Sequence, residues 1–310
     1  MLAALAIDAM VGWPNRLYAR IGHPVSWLGR LISLLDSRLN VGLHAGPARR
    51  TAGILSLLTV LLIAVTPAFL IQSALPGNLA GLLLGACLSW PLLAARSLHE
   101  HVDAVIDPLS QGRLDEAKEA VSRIVGRDTS SLDGAGVARA ALESLAENTS
   151  DGVVAPIFWG TILGLPGIVA YKAINTLDSM IGHRNERHAA FGWASARLDD
   201  IVNYIPARLT GLLFAAVSSR PGPALRRMMK DSRHHRSPNA GWPEAAMAGS
   251  LGIRLCGPRV YGSRLDREPW LNENSPDPGA KEIRQALALY VRALAGMAGM
   301  LALLVLVFNS

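Results

Sequence analysis

The stretch TAGILSLLTVLLIAVTPAFLIQS, residues 51–73, carries no charge over its whole length. At 1.5 Å of rise per residue a helix this long reaches roughly 34 Å, against a hydrocarbon core of about 30 Å. Backbone in hydrocarbon must satisfy its own hydrogen bonds, so such a segment is a helix and its surroundings are a bilayer. Arg49 and Arg50 stand immediately before it. The tetrapeptide LPGN turns the chain, and residues 79–95 return as a second apolar span. A last span, residues 287–308, holds only Arg292, close enough to its start to reach the interface. Of 310 residues, 50% are hydrophobic and 17% charged, which is too apolar for an ordinary soluble domain and too charged for spans alone. The expected class is a polytopic membrane protein with substantial polar loops.

Between these spans the pattern is helical throughout. The N-terminus MLAALAIDAMVGWPNR lacks a basic leader region and reads as a short retained membrane segment. Over residues 96–148, Leu98, Val102, Val105 and Leu109 recur at helical spacing, as do Leu114, Ala117, Val121 and Ile124. Pro108 and Gly112 separate these two helices. A third carries Val137, Ala141, Leu142 and Leu145 inward, completing a small amphipathic subdomain on the membrane surface. Residues 153–176 are long enough to cross, but Pro156, Gly160, Gly164, Pro166 and Gly167 interrupt them, so a continuous helix through GLPG is not expected. Residues 201–219 contain Pro206 and Arg208. Broken helices are tolerated at membrane depth only where protein or a polar cavity covers them. Residues 220–286 form a polar loop region with one amphipathic helix near 243–251. The expected fold is all-α: one membrane-embedded unit over residues 1–310, with broken or re-entrant helices and no strand pattern.

The net charge of +6 is spread through loops, which suits the bilayer surface or an anionic substrate. No aromatic-basic module supports nucleic-acid binding. Cys87 and Cys256 offer neither a disulfide framework nor metal-ligand spacing, and His183 and His188 are five apart, off the helical ligand pairing. Walker-A, paired-glycine and nucleophile-elbow motifs are absent from the sequence.

The polar residues are concentrated around the broken segment. AENTSDG places Glu147, Asn148, Ser150 and Asp151 at its entry, where capping of the next helix accounts for one of them and not for four. Its exit, NTLDSMIGHRNERHAAFGW, crowds Asn175, Asp178, Ser179, Asn185, Glu186 and Arg187; the first three share one helical face. A charge near the bilayer centre costs about 3 kcal/mol, which argues against an incidental cluster. ARLDDIVNYIPARL brings Arg197, Asp200 and Asn203 toward one face. Asp199 and Asp200 either cap the following helix or hold Mg²⁺ on a nucleotide, because Mg²⁺ takes one or two carboxylates together with phosphate oxygens. In RHHRSPNAGWPEAAMAG, Arg236, Ser237 and Asn239 precede a helix containing Glu244, a setting suited to an anion.

Six collinear stretches, GHPVSWLGRLI, IVGRDTSSLD, ESLAENTSDGVVAPIFW, AINTLDSMIGHRNERHAAFGWASARLDD, NYIPARL and RSPNAGWPEAAMAGSLGIRL, closely resemble the membrane-bound adenosylcobinamide-phosphate synthases of cobalamin biosynthesis, the CobD/CbiB type. The resemblance runs from about Asp8 to Ile283, with Trp13 standing where the family pattern suggests an acid. It implies a ligase that joins the propionate carboxylate of adenosylcobyric acid to (R)-1-aminopropan-2-ol or its O-phosphate, using ATP and Mg²⁺. Under this reading Glu147, Asp151, Asp178 and Asp200 are the catalytic acids. Asn148, Asn175, Ser179, Asn185, Glu186, Arg187, Arg197, Asn203, Arg236, Ser237, Asn239 and Glu244 bind substrate or nucleotide, and Asp199 with Asp200 holds the metal. The partners implied are the corrinoid, the amine, the bilayer and neighbouring cobalamin-pathway enzymes. If residues 153–176 and 201–219 dip into the membrane and return, every large loop stays cytoplasmic and the site faces ATP at the inner membrane. The rival reading is a transporter or sensor that binds a polar ligand without catalysis, against which the absence of an internal repeat counts.

Overall fold

A computed structural model describes residues 1–40, 46–126, 128–183, 185–261, 264–266 and 268–309. In chain order the helices are α1 (Leu2–Val11), α2 (Asn15–Ile21), α3 (Pro24–Leu39), α4 (Gly46–Ala74), α5 (Leu79–Ser89), α6 (Ala95–Ser110), α7 (Leu114–Ser122) and α8 (Gly134–Thr149). A π-helical turn, Ser150–Val154, then leads into α9 (Ala155–Ile181), α10 (Trp193–Val202), α11 (Tyr204–Val217), α12 (Pro221–Asp231), α13 (Gly241–Leu251) and α14 (Ala280–Asn309). Four very short strands, β1 (Leu255–Cys256), β2 (Arg259–Tyr261), β3 (Arg264–Asp266) and β4 (Trp270–Leu271), pair antiparallel as β1 with β4 and β2 with β3. The architecture is therefore all-α, with two minimal ladders that period-2 reading does not detect at such length. Among the described residues, four helical stretches are long and apolar enough to cross a membrane: Gly46–Ala74, Leu79–Ser110, Gly134–Ile181 and Ala280–Val307. This is the make-up of an integral membrane protein.

The chain divides into two compact units, Met1–Ala94 with Ala155–Asn203, and Ala95–Val154 with Tyr204–Ser310. In the first, α3, α4 and α9 pack around Ile32, Leu57, Val60, Ala173, Leu177, Ile181 and Phe191. α4 comes so close to the chain at Phe191 that a Cβ on Gly53 would lie 1.8 Å from the Phe191 carbonyl oxygen. Most of α4 faces outward, with Leu58, Leu62, Phe69 and Leu70 exposed, as lipid contact requires. The proline-glycine break falls where the sequence places it. Gly164, at φ 67° and ψ −148°, interrupts α9. The N–H of Leu165 just beyond the break donates to Gln72 Oε1 of α4 at 2.6 Å. A side chain from the neighbouring helix thus supplies the acceptor that the break removes.

In the second unit α6 buries Leu98, Val102, Val105 and Ile106, and α7 buries Ala117 and Val121. Their amphipathic pattern is as the sequence suggests, but Pro108 lies inside α6 and the turn comes at Gly112, φ 70°. α8 is not a surface helix. Its small residues Ala138, Ala140 and Ala146 are as buried as Val137, Ala141, Leu142 and Leu145, so it is enclosed on all sides. α13 is likewise buried on every face rather than amphipathic, because GWPEAAMAGS offers small residues that let α11 and α12 close around it. Within residues 220–286, α12 is a further helix, with Ala224 and Met228 turned inward. The first half of α14 packs through Ala286, Tyr290 and Ala293, and Tyr290 donates its hydroxyl proton to the Ala95 carbonyl at 2.8 Å. Near its end Leu303, Leu304, Val305 and Leu306 are exposed.

Candidate functional site

The last two turns of α9 are two-sided. Leu177 and Ile181 enter the core, while Asn175 and Asp178 look the other way. α10 folds back against α9 through Gly192, where a Cβ would lie 1.6 Å from the Ile181 carbonyl oxygen. That approach brings Asp199 and Asp200 of α10 beside Asp178. Asp178 and Asp200 lie within electrostatic reach of each other, and both act on Asp199. Asp199 Oδ2 accepts from Asn203 Nδ2 at 3.0 Å, and Asn203 in turn accepts from the Tyr171 hydroxyl at 2.9 Å. Asp199 Oδ1 is buried and makes no hydrogen bond among the described residues. Burial and the neighbouring Asp178 carboxylate push the Asp199 carboxyl up to about 7, against the amides of Asn203 and Asn175, which favour its charged form. Arg197 lies 3.5 Å from Asp200. Three carboxylates, two side-chain amides and one arginine thus converge in the first unit. Asp199 and Asp200 sit inside α10, not before a helix, so neither is an N-cap. Asn203 pairs with Asp199.

The exit loop is tied to its neighbours. Arg187 reaches Asp36 of α3 at 2.5 Å, and His188 Nε2 lies 3.4 Å from the same carboxylate. Burial works against the Asp36 anion, but hydrogen bonds from Asn40, Arg187 and His188 outweigh it and hold Asp36 below the usual carboxylate range. Asn185 Oδ1 accepts from the His188 N–H at 2.8 Å, and the Glu186 carbonyl accepts from Arg49 at 3.3 Å. Arg187, His188 and the Glu186 carbonyl anchor the loop to α3 and α4, while Asn185 bonds within the loop. Ser179 is exposed and donates to the Asn175 carbonyl at 2.8 Å.

The residues of the second unit separate into several settings. α8 does not stop at ENTSD; it widens into the π-helical turn, a feature frequent at functional sites. Glu147 is exposed, Asp151 is half-buried, and Asn148 donates to the Ser144 carbonyl at 2.9 Å; the helical backbone runs through all three, so none stands before a helix start. Ser237 Oγ accepts from the N–H groups of Asn239 and Ala240, closing the turn into α13. Asn239 accepts from Arg208 at 3.3 Å, and the Arg208 guanidinium lies 3.4 Å from the Tyr204 ring centroid and 4.3 Å from that of Trp242. Arg236 is exposed, 3.8 Å from Glu268. Glu244 is buried, and Cys256 Sγ lies 3.0 Å from its Oε2. Around it stand His235, Glu268 and, through the Cys256 N–H at 2.8 Å, Glu143. Of this group sequence reading singles out Glu244 but not His235, Glu268 or Glu143, because they are spread over more than a hundred positions; the one local signal for them is Glu143 within the apolar run AALESLA. Beside Glu268 opens a cleft of about 440 Å³ lined by Arg227, Lys230, His234 and Trp270.

Residues 1–290 match a family described as CobD/Cbib protein. The chain belongs to the CobD/CbiB family. A relative from Rhodobacter capsulatus, named cobalamin biosynthesis protein CobD, is 58% identical over 297 residues, which cover 96% of this chain and 94% of that protein. Proteins of the same name from a Sinorhizobium species and from Brucella suis are 46% and 45% identical, over 96% of this chain and 94% and 93% of theirs. No solved structure matches the chain. Family membership thus extends over both units, and the acid group of α9 and α10 and the buried cluster around Glu244 both lie within the matched residues.

Proposed function

We propose that the protein is the amide-forming ligase of cobalamin biosynthesis that joins the propionate carboxylate of adenosylcobyric acid to (R)-1-aminopropan-2-ol or its O-phosphate, with hydrolysis of ATP. The observation that carries this reading is the convergence of Asp178, Asp199 and Asp200 with Asn175 and Asn203; the family and the names of the relatives supply its setting. A carboxylate resists attack by an amine because its oxygen is a poor leaving group. Transfer of a phosphoryl group to it solves that problem and demands charge neutralisation and alignment more than covalent help from the protein. The donor set fits Mg²⁺, since the oxygens are hard and Asp199 Oδ1 is buried without a hydrogen bond among the described residues. Asp199 and Asp200 would hold the ion, which when bound offsets phosphate charge. Arg197 is the cation assigned to phosphate oxygens. Asp178 is the carboxylate assigned to take the ammonium proton. Glu147 and Asn148 at the end of α8 and Asp151 in the π-helical turn are assigned a functional role within the second unit. The protein is placed in the cytoplasmic membrane with its site open to cytoplasmic ATP, where neighbouring pathway enzymes have access to it.

The test is phosphate release from ATP by the purified, detergent-solubilised protein. Release should require corrinoid and amine together. Asp178→Asn, Asp200→Asn and Asp151→Asn should each lower turnover by about 100-fold or more without altering the size-exclusion profile. Near wild-type turnover in all three would make the acids structural. Ligand binding without any ATP turnover would replace the ligase with the transporter or sensor reading.

A further inference from the structure

Four donors of mixed chemistry meet at one buried point in the second unit. His235 follows the short turn Ser232–His234, Glu244 lies in the first turn of α13, Cys256 ends β1, and Glu268 lies just before β4. The side chains of His235, Glu244 and Glu268 are 6, 3 and 4% exposed. His235 Nε2 is 3.6 Å from Glu244 Oε2 and 3.5 Å from Glu268 Oε1. The ligand atoms of His235, Cys256 and Glu268 all lie within 4.8 Å of one another.

A tetrahedral ion with bonds of about 2.0–2.1 Å to nitrogen and oxygen and about 2.3 Å to sulfur holds its ligand atoms roughly 3.3–3.6 Å apart. Two of the observed edges already have that length. The third, Cys256 Sγ to Glu244 Oε2 at 3.0 Å, has the geometry of a thiol donating to a carboxylate, and loss of that proton to solvent on metal binding would open it. The imidazole is prepared for the same event. Its Nδ1 lies 3.0 Å from the Ser237 N–H and 3.3 Å from the Ser237 carbonyl. With Nδ1 accepting from the Ser237 N–H, the imidazole proton sits on Nε2 and faces the Glu244 and Glu268 carboxylates; metal binding would release that proton to solvent as it does the thiol's. Cys256 itself is held at φ 60°, a conformation a non-glycine residue rarely adopts, with its N–H bonded to Glu143.

We infer that His235, Cys256 and Glu268, with Glu244 beside His235 and Cys256, form a structural site for a divalent cation of the zinc class. The nitrogen, sulfur and oxygen donors select against Mg²⁺ and Ca²⁺. Bound there, the ion would clamp the β1–β4 ladder to α13 and to the loop before it. The site stands independently of the amide-forming reaction.

The test uses full-length protein isolated in detergent without a polyhistidine tag. It should retain about one equivalent of zinc per chain. Exchange with Co²⁺ should give the intense visible bands of tetrahedral cobalt and a thiolate-to-cobalt charge-transfer band. Cys87→Ser, which alters the exposed second thiol, should keep that band. Cys256→Ser should lose it, and His235→Ala should release the metal to a chelator that leaves the wild type loaded. Folded wild type with no zinc and no cobalt bands, or only the weak bands of octahedral cobalt, would overturn the site. A charge-transfer band lost in Cys87→Ser would do so as well. If Cys256→Ser or His235→Ala fails to fold, the wild-type and Cys87→Ser spectra decide the matter by themselves.

Discussion

Replacing Asp199 by Asn should remove most of the pH dependence of stability between about pH 4 and pH 7. The Asp199 carboxyl stands at about 7 in the folded protein because it is buried and faces Asp178. In the unfolded chain it stands near 3.9. Between those values the folded state holds a proton that the unfolded state has released, so folding is favoured at low pH and that advantage disappears as pH rises through about 7. The full displacement corresponds to about 4 kcal/mol, of which roughly 2–3 kcal/mol falls between pH 5 and pH 8. Asn keeps the shape and a carbonyl acceptor for Asn203 but carries no charge. In detergent, the melting temperature of the wild type should fall by several degrees from pH 5 to pH 8, while Asp199→Asn should stay nearly level and exceed the wild type at pH 8. Millimolar Mg²⁺ should restore the wild type at pH 8 and leave the variant unchanged. Parallel profiles for the two proteins would refute the burial of Asp199 beside Asp178, and with it the acid group as drawn.

Gly192→Ala should prevent α10 from docking on α9, because the new methyl would sit 1.6 Å from a backbone oxygen that cannot rotate away; loss of the monodisperse peak in fluorescence-detected size exclusion would show it. Gln72→Leu leaves the Leu165 N–H without its acceptor at the Gly164 break and should cost about 1–3 kcal/mol, read as a lower melting temperature with little change in turnover; an unchanged melting temperature would mean that something else serves that N–H. For sidedness, Ala189→Cys in a Cys87→Ser background places one exposed thiol in the exit loop, since Cys256 is buried. It should resist an impermeant reagent in intact cells and react once they are opened, and labelling from outside would move the loop to the other face. Heavy oxygen placed in the corrinoid carboxylate should appear in released phosphate; labelled AMP instead would indicate adenylation.

The membrane character of the chain was legible in residues 51–73 and 287–308, because exclusion of charge over a bilayer's thickness is a property of one helix by itself. The break in GLPG was legible for the same local reason, and so was the helical face shared by Asn175 and Asp178. What residues 134–149 would do was not. A run of Ala, Val and Leu reads the same whether one face or every face is covered, and only the neighbours decided that α8 is enclosed. That the polar stretch Asn185 to Arg187 is held by Asp36, some 150 positions away, was not legible either. The joining of Asp178 to Asp199 depended on Gly192, whose lack of a side chain matters only against the carbonyl of Ile181. His235, Glu244, Cys256 and Glu268 carry no periodic signal at all. Their meeting is a matter of long-range packing between α13, β1 and the loops beside them, which spacing along the chain does not encode.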